Sequence, residues 1–192
     1  GRVMAGRIDF RGTDGATVDL ARIDETRRLQ PESSRAGRRV DAESCLRHWG
    51  RRHGCAVSIL RAPGIYASDR LPLERLQRQL PALCAADDVF TNHIHADDLA
   101  RACMAAVWKG RPQRAYNVSD STHMKMGDYF DLAADLYGLP RPPRVPRSTA
   151  QEQLSLMLLS FMSESRRLDN QRMLRELGLR LRYPSVAEGL RA

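Results

Sequence analysis

Two short segments of the 192-residue sequence carry residues whose types and spacing could do chemistry. In the first, Pro63 and Gly64 follow an apolar run at 55–61 that is typical of a strand buried in a parallel sheet. A glycine at this point lets the backbone approach a ligand closely, because it has no Cβ atom. The carboxyl end of a parallel strand is also where open α/β sheets place their ligands. The alternative interpretation is an ordinary turn that ends the strand.

In the second segment, His93, His95 and Asp97 occupy alternate positions. The two histidines would share one face of a strand predicted at 89–95. With Asp97 they could imitate a set of metal ligands, but one short string of this kind is a weak metal signal. No two of the four cysteines lie within four residues of each other, which argues against a zinc site or a redox dithiol. We therefore predict no metal site, and we expect buried, reduced thiols.

These segments lie within a pattern that alternates short apolar strands with amphipathic helices. Leu46 and Trp49 belong to the apolar face of a helix predicted to start at residue 38 and to end at Gly50 or Gly54, with Glu43 on the opposite face. Further helices are predicted at 72–80, 99–108, 126–136, 149–161 and 169–177, strands at 55–61, 89–95 and 115–119, and weak strands at 7–10 and 17–20. Helices that alternate with strands imply βαβ units, so the predicted fold class is α/β, with a parallel sheet followed by a helical end.

The composition is basic, since 31 Lys plus Arg oppose 23 Asp plus Glu and give a formal charge of +8. A basic balance raises a nucleic-acid hypothesis, but the arginines are scattered along the chain and mostly stand beside acids instead of forming a phosphate-tracking stripe. We therefore predict no nucleic-acid partner and keep that function as a minor alternative. No run approaches the ~20 apolar residues of a membrane span. No secretory leader is recognisable, so we expect no membrane partner and a cytoplasmic location.

Three segments, in order and at matching separations, carry a resemblance to a known family. The segment 59–66 reads ILRAPGIY and is similar to a strand followed by an R-x-P-G-x-Y-G loop. The segment 91–100 reads TNHIHADDLA, similar to x-I-H-V-D-D-L-A, and 114–120 reads RAYNVSD, similar to Y-N-V-G/S-D. Together they resemble the second half of the extended short-chain dehydrogenase/reductase family, the NAD-dependent epimerase/dehydratase-type proteins. The resemblance covers roughly residues 38 to 192.

The resemblance implies a domain organisation and a cofactor. Residues 36–125 would form the C-terminal half of a Rossmann-like domain, 126–192 a small helical substrate-binding lid, and 1–35 an irregular segment before them. The cofactor would be NAD or NADP. In the family, the loop that corresponds to Pro63, Gly64, Ile65 and Tyr66 lies against the nicotinamide end of the dinucleotide.

The resemblance also assigns substrate-side residues. Asn92 would face the substrate cleft, and His95 is a second candidate on the substrate side. The resemblance also allows a structural role for His95 and the two acids beside it. In that role, Asp97 or Asp98 would cap the next helix. In the C-terminal block, Arg166 or Arg167 could face an anionic substrate, since a guanidinium suits phosphate or carboxylate. An ordinary surface arginine is the alternative. The substrate would be a small molecule, such as a sugar nucleotide or another anionic compound.

The sequence departs from the family pattern at two points. The glycine-rich dinucleotide fingerprint is absent, so we expect a fragment or a truncated gene. Arg35 and Arg39 fall at the usual positions of the catalytic Tyr and Lys, which leaves the catalytic residues unknown. Arginine does not release a proton near neutral pH and cannot replace the Tyr, whereas Arg39 could still offer positive charge to a ribose or phosphate.

Two functions from different classes are compatible with this pattern. One is an NAD(P)-dependent epimerase/dehydratase or reductase-like oxidoreductase. The other is a non-catalytic NAD(P)- or ligand-binding module of the same fold. A homodimer is a further expectation, because relatives often pair through the helix predicted at 38–52.

Overall fold

The computed structural model describes residues 22–31, 33–162 and 165–192. The weak strands predicted at 7–10 and 17–20, and most of the predicted irregular segment 1–35, lie outside the described residues. Within 22–31, Ile23 forms an isolated parallel bridge with Leu168. No helix in the described part of the chain is both long and apolar enough to cross a membrane.

Helices and strands alternate along the described chain. The helices are α1 (Ser34–His53), α2 (Leu73–Gln77), α3 (Ala96–Lys109), α4 (Met126–Leu136), α5 (Arg147–Gln153), α6 (Leu156–Phe161), α7 (Gln171–Glu176) and α8 (Val186–Gly189). The strands are β1 (Ser58–Arg61), β2 (Gly64–Tyr66), β3 (Ala82–Leu83), β4 (Phe90–Thr91), β5 (His93–His95), β6 (Arg114–Asn117), β7 (Met124–Lys125) and β8 (Arg144–Val145).

The strands pair mainly in parallel. Strand β1 pairs with β6, β2 with β5 and β3 with β8, all parallel, whereas β4 and β7 form an antiparallel pair. Parallel pairs need crossover connections, and here helices lie within them: α2 lies between β2 and β5 in the chain, and α2 and α3 lie between β1 and β6. The predicted α/β class, with parallel strands and several helices, is confirmed.

Two apolar clusters make up most of the buried interior. The first packs Tyr66 and Leu76 against the inner face of α4 and the C-terminal turn at Val186. The second joins Ile94 of β5 and Tyr116 of β6 to the C-terminal helices. The C-terminal third of the chain is therefore packed into the interior beside the strands.

Helix α1 differs from its prediction in both start and orientation. It begins at Ser34, where the Ser33 side chain accepts a hydrogen bond from the N–H of Ala36. Leu46 and Trp49 of the predicted buried face are 52% and 51% exposed, and Glu43 is buried. The expectation of an inward apolar face was wrong because Glu43 turns inward to bind Arg61 of β1.

The start of α3 also differs from its prediction. The capping residue is His95, whose Nδ1 accepts a hydrogen bond from the N–H of Asp97 at 3.2 Å. Asp98 is buried, and its two carboxylate oxygens accept from the N–H groups of Arg182 and Tyr183, each at 2.8 Å. The prediction that Asp97 or Asp98 caps this helix was wrong. His95 is the cap, and the Asp98 carboxylate instead accepts hydrogen bonds from the C-terminal segment.

Two further expectations changed. The single helix predicted at 149–161 is two helices, α5 and α6, with Ser155 capping the second. All four cysteines are free thiols, but Cys45, Cys55 and Cys103 are exposed and Cys84 is half-buried. The prediction of buried thiols was therefore wrong.

Candidate functional site

A cavity of about 600 Å³ lies where the first turns of α1 meet the β1–β2 link, the β4–β5 link and helices α4 and α6. Many of the site residues predicted from sequence line it. The lining residues are Arg35, Ala36, Arg39, Leu60, Ala62, Pro63, Gly64, Ile65, Arg75, Phe90, Thr91, Asn92, His93, Met126, Phe130, Leu158, Phe161, Met162, Arg166 and Leu168.

The Pro-Gly loop brings backbone to the cavity wall. The N–H of Gly64 donates to the carbonyl of Asn92 at 3.2 Å, so the start of β2 lies directly against the β4–β5 link. A Cβ atom at Gly64 would lie 3.1 Å from His93 Cδ2 and 3.3 Å from the Asn92 carbonyl oxygen. Both distances are tighter than most Cβ contacts, so glycine suits this close approach of two chain segments. Pro63, Gly64 and Ile65 all line the cavity.

Tyr66, the last residue of the predicted cofactor loop, is placed elsewhere. It is 1% exposed and does not line the cavity. Its ring lies edge-on to His93 and His95, and a Cβ at Gly189 would meet its hydroxyl oxygen. Burial is the main reason why the pKa of Tyr66 is raised far above its ordinary value. Its phenol is therefore neutral and belongs to the interior.

Asn92 lines the cavity, but its amide group is engaged in holding the chain. Its Nδ2 donates to the carbonyl of Arg166 at 3.0 Å, and its Oδ1 accepts from the N–H of Leu168 at 2.9 Å. The N–H of Arg166 in turn donates to the carbonyl of Phe90 at 3.3 Å. Asn92 thus fixes the 165–168 segment across the cavity, beside β4.

The two histidines of the strand have different places. His95 is buried away from the cavity, where it caps α3 and lies 4.1 Å, centroid to centroid, from the Tyr183 ring. His93 lines the cavity and stacks on Tyr129 at 4.2 Å. Burial lowers the pKa of His93 to about 4, so its imidazole is neutral near pH 7.

The charge of the cavity comes from arginine. Four arginines line it, and no Asp, Glu or Tyr is among its described lining residues. Arg75 lies over the Phe130 ring at 4.5 Å and donates to the carbonyl of Pro81, while Arg35 lies 5.9 Å from the centroid of the Phe161 ring. Sequence reasoning missed Arg75, since it is one surface-type residue in a predicted helix.

A buried ion pair beneath the cavity holds α1 in place. Arg61 Nε donates to Glu43 Oε1 at 3.0 Å, and its Nη2 donates to Oε2 at 2.8 Å. This two-bond geometry fixes both the distance and the orientation of α1 on β1. The turn that carries Arg35 and Arg39 is therefore presented to the cavity by a rigid contact one helical turn further along.

The side chains of this cavity can bind an anion, but those that the structure describes do not supply a cluster of metal ligands. Its cations are arginine guanidinium groups, and its imidazole is neutral near pH 7. Among the described residues, no group of three His, Cys, Asp or Glu side chains converges as a metal site would require. The walls therefore supply positive charge, apolar surface and open backbone.

Comparison with known proteins identifies the fold that carries this cavity. No protein-family model and no curated protein matches the chain. A functionally unknown conserved protein from Silicibacter pomeroyi is similar at 34% identity and a TM-score of 0.77, over 88% of this chain and 58% of that one. A UDP-glucose 4-epimerase from Thermotoga maritima, solved with UDP-glucose, is similar at 20% identity and a TM-score of 0.71, over 92% and 57%.

A third similar structure is the dTDP-glucose 4,6-dehydratase of Streptomyces venezuelae, solved with NAD bound. It shares 20% identity at a TM-score of 0.69, over 91% of this chain and 53% of that one. The chain thus spans just over half the length of the solved structures it matches. The resemblance found in the sequence is confirmed at the level of the fold, which is that of the C-terminal portion of NAD-dependent epimerase/dehydratase proteins.

Proposed function

We propose that this chain, with its epimerase/dehydratase fold, forms the nicotinamide side and the substrate side of an NAD(P)-dependent oxidoreductase of the epimerase/dehydratase or reductase type. One observation carries the proposal: the 63–65 loop, Asn92 and the 165–168 segment meet around a single cavity. A volume of about 600 Å³ suits a small organic ligand. The proposed substrate is a small anionic molecule, and the sugar nucleotides handled by two of the similar proteins are examples.

The residues of the loop fit a dinucleotide. Gly64 and Ile65 are exposed at the cavity, so no side chain blocks the backbone there. Pro63, Gly64 and Ile65 would contact the nicotinamide, and Arg39 would offer its charge to a ribose or a phosphate. When bound, the nicotinamide accepts or donates a hydride. The solved dehydratase with NAD supports this proposal by resemblance.

A second candidate is a binding module that has no Tyr-based catalysis. The feature that favours it is the pair Arg35 and Arg39, which the sequence resemblance aligns with the Tyr and Lys of the family. An arginine keeps its proton near neutral pH, so it cannot act as the general acid or base. Tyr66 and Tyr129 are buried, and neither lines the cavity.

Titration of the purified chain with NADH and NADPH, followed by nicotinamide fluorescence, tests both candidates. We expect saturable binding by the native chain and by Gly37→Val, since a Cβ at Gly37 meets nothing within 4 Å. Gly64→Val should weaken binding by tenfold or more. Turnover of a sugar nucleotide by the native chain would favour the first candidate, and binding without turnover the second. Equal binding by Gly64→Val and Gly37→Val would contradict the proposed place of the nicotinamide.

We also propose that two copies of the chain associate through α1. Leu46 and Trp49 are half-exposed on its outer face, where a second copy could cover them. Sedimentation should show a dimer that Trp49→Glu dissociates. Trp108→Glu is the matched control, because Trp108 is 81% exposed but lies on α3. A native monomer at micromolar concentration would refute the pairing.

The remaining proposals concern surroundings and partners. A cytoplasmic location is supported by four cysteines that are all free thiols, as a reducing compartment favours. The absence of a nucleic-acid partner stays a prediction. Micromolar affinity for duplex DNA with a steep salt dependence would contradict it.

A further inference from the structure

We propose that Arg35 and Arg39 form a seat for a small organic dianion at the α1 end of the cavity, whose wall Arg75 also lines. The ligand class is a molecule with a phosphoryl group or with two carboxylates. This inference rests on the substrate cavity proposed above, but it does not require that a dinucleotide binds. It also gives a role to the two arginines that the sequence resemblance aligns with the usual catalytic pair.

The spacing directs both arginines of α1 toward one ligand. Arg35 and Arg39 are four residues apart on a 20-residue helix, so they lie on one face with Cβ atoms about 6 Å apart. Two like charges at this spacing destabilise a helix unless an anion lies between them. Each guanidinium offers a planar fork of N–H donors that matches the two oxygens of a carboxylate or phosphate.

Within the residues that the structure describes, no acid neutralises either of these arginines. The acid one turn beyond Arg39 is Glu43, but both of its oxygens are bound by Arg61. In the described part of the chain, Arg35 and Arg39 form no ion pair. Elsewhere on the surface arginines pair with carboxylates, as Arg141 does with Asp135 at 2.7 Å.

Aromatic rings orient two of the guanidiniums. Arg75 lies over Phe130 at 4.5 Å, and Arg35 lies near the Phe161 ring at 5.9 Å. A guanidinium stacked on a ring keeps its edge N–H groups available for a ligand. Burial lowers the pKa of Arg75, and a bound anion would offset that unfavourable burial of charge.

The apolar walls of the cavity favour an organic ligand over a bare inorganic ion. Apolar side chains such as Phe90, Met126 and Met162 line the cavity beside the arginines. A bare ion would leave this surface in water, whereas the carbon skeleton of an organic dianion would cover it. No carboxylate of the described residues faces the ligand and repels it.

Thermal unfolding of the full chain tests the seat. The probes are inorganic phosphate, malonate and phosphoglycolate, each compared with sodium chloride at equal ionic strength. We expect phosphate or malonate to raise Tm above the chloride value in a saturable way, as binding to the native state does. Phosphoglycolate should give the larger rise, because its carbon atoms add apolar contact. Phosphate without malonate would identify a phosphoryl seat, malonate without phosphate a dicarboxylate seat, and both a seat that reads charge alone.

The variant pair Arg35→Gln/Arg39→Gln should lose this rise, measured for each variant against its own chloride value. Arg78→Gln/Arg141→Gln is the matched control, because it removes the same charge from exposed arginines paired with Glu74 and Asp135. If no probe exceeds chloride, or if the rise persists in Arg35→Gln/Arg39→Gln, the seat does not exist. NADH titration in phosphate-free buffer is read separately, so loss of the seat and failure of dinucleotide binding are distinguishable.

Discussion

The main-chain N–H of Asp120 donates a hydrogen bond to the main-chain carbonyl of His93 at 2.7 Å. Both side chains are buried, and burial shifts their pKa values in opposite directions. Burial lowers the pKa of His93 to about 4, and burial raises the pKa of Asp120 to about 7. Two predictions about pH dependence follow from this pair.

The native chain should lose stability at acidic pH because of His93, and we expect the His93→Phe variant to lack this loss. The unfolded imidazole binds a proton near its ordinary pKa of 6.5, whereas the folded one does not until about pH 4. The native chain therefore loses roughly 3 kcal/mol from this residue as pH falls from 6.5 to 4. Urea unfolding at pH 4.5 and 7 should show this loss in the native chain and its absence in His93→Phe. A loss of the same size in the variant would show that His93 is not its source.

We expect Asp120→Asn to act in the opposite direction. The folded carboxyl keeps its proton up to about pH 7, while the unfolded one releases it near 3.8, so stability falls as pH rises between these values. The Asn variant keeps an acceptor for the N–H of Thr122, which now donates to Asp120 Oδ1 at 2.9 Å. Its free energy of unfolding should exceed that of the native chain at pH 8, and the excess should shrink toward pH 4.5. An excess that does not vary with pH would contradict a titrating Asp120.

Breaking the buried pair of Glu43 and Arg61 should cost far more than breaking a surface pair. Arg61→Met leaves a buried carboxylate with Arg47 at 3.5 Å as its remaining described ionic partner, and we expect a loss of about 3–5 kcal/mol. Arg141→Met removes the exposed pair with Asp135 and should cost less than about 1 kcal/mol. Urea unfolding at pH 7 gives both values.

Replacing both partners of the buried pair provides the check. Glu43→Leu combined with Arg61→Met leaves no isolated charge and should recover part of the loss of Arg61→Met alone. A double variant that is less stable than Arg61→Met would show that packing, and not the unpaired carboxylate, determines the cost.

Asp98 should control the attachment of the C-terminal segment. Its two oxygens accept from the N–H groups of Arg182 and Tyr183, so Asp98→Ala removes two hydrogen bonds at roughly 0.5–1.5 kcal/mol each. Hydrogen exchange at these two amides should become faster by tenfold or more. Asp97→Ala is the control, because Asp97 is exposed and accepts from neither amide. Unchanged hydrogen exchange at these amides in Asp98→Ala would contradict the role of Asp98 in attaching the C-terminal segment.

Local elements were the most predictable part of the fold. Helix α4 has the predicted bounds, 126–136, because its apolar periodicity and the glycine at 138 are local signals. The left-handed Gly54 ends α1 at one of the two predicted positions for the same reason, since a positive φ of 66° favours glycine. The starts of α1 and α3 were less predictable, because each depends on a cap contact whose geometry the residue types alone do not fix.

The candidate site was only partly accessible to sequence reasoning. The 63–65 loop, Asn92 and Arg166 were predicted, and they do meet around one cavity. Tyr66 and His95, from the same motifs, face the interior instead. The alternation of a strand shows that neighbours point to opposite faces, but it does not show which face packs against Gly189 or Tyr183.

By itself, the sequence determined the α/β class, most of the longer helices and the family resemblance, because these follow from local periodicity and short motifs. Only the tertiary structure decided that Glu43 turns inward, that Asp98 holds the C-terminal segment, and that Arg75 joins Arg35 and Arg39. The physical reason is that charge partners and cavity walls are formed by residues far apart in the chain. Their meeting depends on how the packed elements bury area and pair charge, which no local pattern encodes.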